Sequence, residues 1–195
     1  MTPRKIEPTA ILPLPEYSKQ RAERRKRIAD LKKNRRLEVG PFATFYFESY
    51  DTMLHQVHEM LFIEKGGTAQ IPDELSAYNP LIPQGNELVA TVMFEIDDPL
   101  RRARVLAGLG GVEHRAFIRL GESVIHGVPE ADQDRSRDDG KASSVQFMRF
   151  AFTSAQIAAF RAAGGDVVVG FDHPNYGHMA VMPSAVRQTL AQDFA

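Results

Sequence analysis

Glu87-Leu-Val-Ala-Thr-Val-Met-Phe-Glu-Ile96 alternates along its whole length, and the reading of the fold starts from it. Successive side chains of a strand point to opposite faces, so Leu88, Ala90, Val92, Phe94 and Ile96 share one face and Glu87, Val89, Thr91, Met93 and Glu95 the other. The first face belongs to the core. On the second, less apolar face, Glu95 could be solvated or line a cleft.

Working outward, Asp97-Asp98-Pro99 caps a helix expected from Leu100 to about Leu109, which Gly110-Gly111 stops. Residues 115–120 and 123–128 read as two strands joined at Gly121-Glu122 as a hairpin. Residues 129–141 alternate in charge without an apolar anchor and read as a surface loop. A calcium loop is the sharper alternative there, but the turn Gly and the closing Glu of that motif are missing. A strand over 143–152, a helix from Thr153 to about Ala163 and a buried strand at Val167-Val168-Val169 follow. A last strand near 179–182 and a Pro183-initiated helix complete the chain.

Upstream, Phe42 to Glu48 is aromatic and alternating, as in a strand. Asp51 to Glu64 is a helix whose apolar stripe holds Met53, Leu54, Val57, Met60 and Leu61, with His55 and Glu59 on the far side. Glu64 falls inside that stripe. A carboxylate aligned with the core must be paired, metal-bound, neutralised or carried to water by the helix end, and the phase predicts that Glu64 points inward. Ile71 opens a short helix that ends at Tyr78-Asn79-Pro80-Leu81-Ile82-Pro83. There Pro80 keeps Asn79 extended and aims Tyr78 and Asn79 in a fixed direction, suited to a pocket wall or a plain turn.

Charge is unevenly spread. Residues 1–36 hold twelve Lys or Arg against four Asp or Glu, a balance of +8, and the remaining residues hold twelve against twenty-one, or −9. A helix over 15–36, anchored by Tyr17, Ile28 and Leu31, carries most of this positive charge. It suits a nucleic-acid arm or a helix lying on the chain's own acidic body. No aromatic platform is interleaved with the cations, which favours the second. The organisation expected is a basic arm, 1–36, and a single domain, 37–195.

The 195 residues, 43% hydrophobic and 25% charged, are those of a globular protein. No apolar run is long enough for a membrane span and no signal peptide is apparent, so a cytoplasmic protein is expected. The chain has no cysteine, which excludes disulfides, thiolate metal sites and a Cys nucleophile. Strands separated partly by helices and partly by hairpins, without a βαβ rhythm or phosphate-loop motif, point to α+β: a mainly antiparallel sheet with packed helices and a basic N-terminal helix.

Asp172-His173-Pro174-Asn175-Tyr176-Gly177-His178 brings two imidazoles, a carboxylate and a phenol to the end of a buried strand. If the 51–64 helix meets that turn, Glu59 or Glu64 with His173 and His178 forms a two-His, carboxylate set suited to iron, manganese or zinc. His58-Glu59 does not start a zinc-protease motif, because Phe62 stands where the second His belongs. Ser143-Ser144 lacks the nucleophile-elbow glycines of a serine hydrolase.

Gln56-Val57-His58-Glu59-Met60-Leu61 with Glu64, Asp73-Glu74-Leu75 through Ala77 to Pro83, Ser143-Ser144-Val145 with Phe147, Arg149 and Phe150, and Asp172-His173-Pro174 with Tyr176 together resemble a bacterial family of uncharacterised proteins, domain of unknown function 3501. The similarity runs from about Tyr17 to the carboxyl terminus. It implies a protein encoded near rubrerythrin-like proteins and iron–sulfur oxidoreductases, hence a role in redox or oxidative-stress metabolism with such proteins as partners. The chain departs from the pattern at His55, where Tyr is usual, at His58, where Gln is usual, and at Gln146, where His is frequent. The resemblance leaves Glu59, Glu64, Tyr78, Asn79, His173 and Tyr176 as the positions of interest. The first reading is a metal-dependent redox or accessory protein with Glu59, Glu64, His173 and His178 at the metal and Tyr78, Asn79 and Tyr176 around a cofactor pocket. The alternative is a non-catalytic adaptor that docks to a redox enzyme or nucleic acid through the basic N-terminal helix.

Overall fold

A computed structural model describes residues 3–130, 141–162 and 164–195. After a 3-10 turn at Pro8–Ala10, the elements are α1 (Leu14–Lys32), β1 (Arg36–Val39), β2 (Ala43–Phe47), α2 (Tyr50–Glu64), α3 (Ile71–Tyr78), β3 (Glu87–Phe94), α4 (Pro99–Ala107), β4 (Ala116–Leu120), β5 (Ser123–His126), β6 (Val128–Pro129), β7 (Val145–Ala151), α5 (Ser154–Arg161), β8 (Val167–His173), β9 (Tyr176–Val181) and α6 (Ser184–Leu190). The expected loop over 129–141, with its calcium alternative, lies almost wholly outside the described residues.

The fold is α+β, built on two antiparallel sheets. One runs β1-β2-β3-β7-β6 and the other β5-β4-β8-β9. β3 is the middle strand of the first, with Val92 opposite Phe45 of β2 and Gln146 of β7. Its Leu88, Ala90, Val92 and Phe94 face the core shared with the second sheet, where Phe45 and Phe94 reach Phe171 of β8 at ring separations of 5.3 and 5.9 Å.

The other face of β3 is also covered. Val89 packs in a second cluster with Met53, Val57 and Leu61 of α2 and Leu75 of α3. Glu87 and Thr91 are therefore buried rather than solvated. Thr91 donates to the Glu48 carboxylate at 2.7 Å and Thr52 of α2 donates to its other oxygen at 2.6 Å, while Arg149 of β7 pairs with Glu87. Buried carboxylates persist because each finds such donors. Glu95, beyond the end of the strand, is exposed and accepts from Thr44 and Tyr46.

Two expectations about chain path fail for long-range reasons. α1 stops at Lys32 rather than 36, because residues 35–39 are drawn into the body. Leu37 and Val39 point into the core from β1. The Arg35 guanidinium, 4% exposed, donates to the Phe47 and Glu48 carbonyls and pairs with Asp193, 158 residues away. Residues 172–178, expected as a site-bearing turn, turn only at Pro174-Asn175, the rest being the paired ends of β8 and β9 with His173 opposite Tyr176.

Candidate functional site

Residues 3–13 precede α1 as a strap whose apolar residues are separated by Pro3, Pro8 and Pro13. Proline fixes φ and removes a donor, so this segment forms a single 3-10 turn at Pro8–Ala10 and no longer helix before Pro13 caps α1. Its polar anchors come from elsewhere in the chain. Arg4 donates to the Pro83 and Asp193 carbonyls at 2.8 and 2.9 Å. Asn79 grips Ile6, accepting from its N–H at 2.7 Å and donating to its carbonyl at 3.1 Å. Ile6 is thereby fully buried.

The third anchor is His58 of α2. Its Nδ1 lies 2.8 Å from the Leu54 carbonyl, which can only accept, and its Nε2 lies 3.0 Å from the Leu12 N–H, which can only donate. The proton therefore sits on Nδ1 and the ring is neutral. Burial agrees with this, pushing the His58 pKa below the usual imidazole value. Tyr17 of α1 stacks on the same ring, centroids 4.7 Å apart and planes 13° from parallel. The Tyr17 hydroxyl donates to Glu59 at 2.6 Å, and Arg21 grips both carboxylate oxygens of Glu59 at 2.9 and 2.8 Å. The Arg21 fork holds the Glu59 carboxyl down at about 2, with Tyr17 adding to the effect. Burial, then the Glu59 carboxylate, raises the Tyr17 phenol.

Between strap, α2 and α3 lies a pocket of about 480 Å3. Tyr17, His58 and Leu61 line it from the helices, Ile11 and Pro13 from the strap, and Ile71 and Thr68 from the turn into α3.

The residues singled out from the sequence fall in three separate places. Glu59 belongs to the α1–α2 contact just described. Glu64 does not turn inward: it is exposed and accepts from Gln70 at 2.6 Å. The helix ends one residue later at Lys65, left-handed at φ 57°, and the turn that follows meets the carboxylate through Gln70 without enclosing it. Tyr78 packs half-buried against the α2–α3 cluster, and Asn79, helical at φ −58° rather than extended as Pro80 suggested, clamps the strap.

His173 and Tyr176 serve the second sheet. His173 donates from Nε2 to the Gly110 carbonyl at 3.1 Å and accepts from the Asn175 N–H at 3.2 Å. The buried Tyr176 hydroxyl donates to Val39 and accepts from the Phe42 and Ala43 N–H groups, locking β9 to the β1–β2 turn. His178 is exposed and its ring lies over Gly40 of that turn. Glu59, Glu64, His173 and His178 are thus not assembled: α2 packs on the outer face of the first sheet, and the β8–β9 hairpin belongs to the second. Among the described residues no three His, Asp or Glu side chains are grouped as a metal ion requires.

The sequence reading missed the roles of the strap, Arg21 and Tyr17. The signal available was the rhythm of prolines between single apolar residues ahead of α1, which marks an extended apolar segment needing a surface to cover.

The class this defines is an α+β domain of two antiparallel sheets, one covered by a helical layer with a pocket beneath an N-terminal strap. The chain belongs to the family described as protein of unknown function (DUF3501), whose model matches residues 5–194. The strap from Lys5 onward and α1 therefore fall within the matched segment. The chain is also similar to the crystal structure of a novel protein of unknown function from Burkholderia pseudomallei, at 34% identity and a TM-score of 0.90, covering 98% of this chain and 100% of that one. No curated protein matches. No helix among the described residues is long and apolar enough to cross a membrane.

Proposed function

We propose that the protein is a non-catalytic accessory of redox metabolism, an adaptor that docks to a redox enzyme through the basic helix α1. The observation that carries the reading is how its chemically capable side chains are employed. His58, Glu59, His173 and Tyr176 each spend their polar atoms on bonds that hold strap, helix or strand in place. A general base or nucleophile needs a position left for substrate.

α1 exposes Arg25, Lys26 and Arg27, of which Arg27 stands 4.0 Å from Asp51 of α2. Clustered cations speed and orient encounter with an acidic partner surface. The resemblance described above supplies the partner class, rubrerythrin-like or iron–sulfur proteins. Nucleic acid fits this face less well, since exposed Glu23 and Asp30 interrupt the positive charge. A redox site of iron, manganese or zinc on Glu59, Glu64, His173 and His178 would require α2 and the β8–β9 hairpin to come together, so the adaptor reading stands ahead of it.

The test is co-purification from native cells, followed by calorimetry with the purified partner. Recovery of a rubrerythrin-like or iron–sulfur protein, with binding lost on combined Arg25→Glu, Lys26→Glu and Arg27→Glu substitution, is the expected result. Binding unchanged by the three reversals overturns the docking face.

A further inference from the structure

The geometry points to a binding site for a small, uncharged, largely apolar molecule in the pocket beneath the N-terminal strap, a property that goes beyond the adaptor reading and does not depend on it. The hollow is built. The strap is held at Arg4, Ile6 and Leu12 by bonds to Pro83, Asp193, Asn79 and His58. A wall pinned at three points keeps open a space that apolar side chains would otherwise fill by collapse.

Size and chemistry select the occupant. About 480 Å3 lies within the range of small-molecule pockets, roughly 300–1,000 Å3. Ile11, Leu61, Ile71 and Pro13 offer only apolar contact. The two polar side chains facing in from the helices are already committed: the Tyr17 hydroxyl to Glu59, and both His58 nitrogens to backbone. An ionised ligand would lose its hydration there and find no counter-charge, whereas an apolar body loses nothing by leaving water. Exposed Thr68 at the rim can offer one hydrogen bond, so the molecule that fits has an apolar body and at most a neutral polar end.

The test titrates the full chain with 1-aminoanthracene, a neutral aromatic probe, and in parallel with the anionic probe 8-anilinonaphthalene-1-sulfonate. Saturable one-to-one binding of the neutral probe, at least about tenfold tighter than the anion, is expected; tenfold corresponds to about 1.4 kcal/mol. Leu14→Asp places a charge on the pocket wall at a position already 41% exposed and should weaken the neutral probe about tenfold or more, with Leu100→Asp, 75% exposed on α4, as the unaffected control. Thr68→Trp adds the chain's sole tryptophan at the rim, and its emission should be quenched by energy transfer to the bound probe. No saturable binding, equal affinity for the anion, indifference to Leu14→Asp, or an unquenched Thr68→Trp each overturns the assignment. The three α1 reversals leave these walls intact, so probe binding should survive them even where partner docking is lost.

Discussion

The Tyr17 hydroxyl stands 2.6 Å from Oε1 of Glu59, so the side chain that stacks on His58 also tops the carboxylate held by Arg21. One residue of α1 thereby engages consecutive residues of α2, and through His58 the strap as well. Tyr17→Phe keeps the stack and removes the donor. It should destabilise by about 1 kcal/mol, and urea unfolding should show it without any change in pocket binding. Glu59→Gln, which leaves Arg21 facing a neutral amide, should lower the midpoint further.

The same contact predicts a loss of stability in acid. His58 is held below its unfolded value of 6.5 by burial, so below that pH the unfolded chain takes up a proton that the folded chain resists. Its contribution is complete above 6.5 and is lost as pH falls through the folded value. Glu59, about 2 when folded against 4.5 unfolded, contributes above 4.5 and loses that contribution as pH falls toward 2. Asp193 runs the other way: burial raises it to about 6 from 3.8 despite Arg35, so its contribution is complete below 3.8 and fades as pH rises through 6. In urea midpoints measured from pH 7.5 to 3, the losses at His58 and Glu59 are therefore opposed by the gain at Asp193, and single variants separate the three. His58→Gln should flatten the part of the curve just below 6.5, and Glu59→Gln the part below 4.5. Curves that stay parallel to the parent's would contradict this assignment.

The β3 strand, the α2 helix and the β4–β5 hairpin are legible because local pattern decides them: alternation, helical phase and a Gly-containing turn. What was not legible depends on partners distant in sequence. β1 looks like the tail of a charged helix until Asp193 is there to receive Arg35. The Glu87 face of β3 looks merely less apolar until α2 and α3 lie on it. His173 and Tyr176 carry the right atoms for chemistry, but the strands they pair and the carbonyls they meet could not be read locally. Glu64 is the clearest misreading, since helical phase holds only as far as another element covers the helix. Glu64→Gln and Glu64→Ala should each change stability by less than about 0.5 kcal/mol. A larger loss in thermal unfolding would mean that the Gln70 contact matters more than its exposure suggests.

Tyr176 makes the join between the two sheets testable. Tyr176→Phe keeps the ring packing but strands the N–H groups of Phe42 and Ala43, and should cost about 2–4 kcal/mol. Gly40 stands in the same turn at φ 68°, where a Cβ would collide with the His178 side chain. Gly40→Ala should cost more than the roughly 1–2 kcal/mol of left-handed strain. In the His178→Ala background the excess should shrink, a coupling that a double-mutant cycle reads directly.

The strap supplies the last prediction. Asn79 replaces strand pairing for one residue, accepting from the Ile6 N–H and donating to the Ile6 carbonyl, and Ile6 sits completely buried beside it. Asn79→Ala removes both bonds at once and leaves two backbone groups without partners, while α3 and the sheets keep their own contacts. Local opening should then become easier than global unfolding. Hydrogen exchange at the Ile6 and Leu12 amides should accelerate by a factor of ten or more, equivalent to about 1.4 kcal/mol, while amides of β3 exchange as in the parent. Because the strap forms one wall of the pocket, neutral-probe affinity should fall in the same variant. Faster exchange spread evenly over the chain would instead make Asn79 a determinant of the whole fold, and unchanged exchange at Ile6 would mean that burial alone holds the strap down.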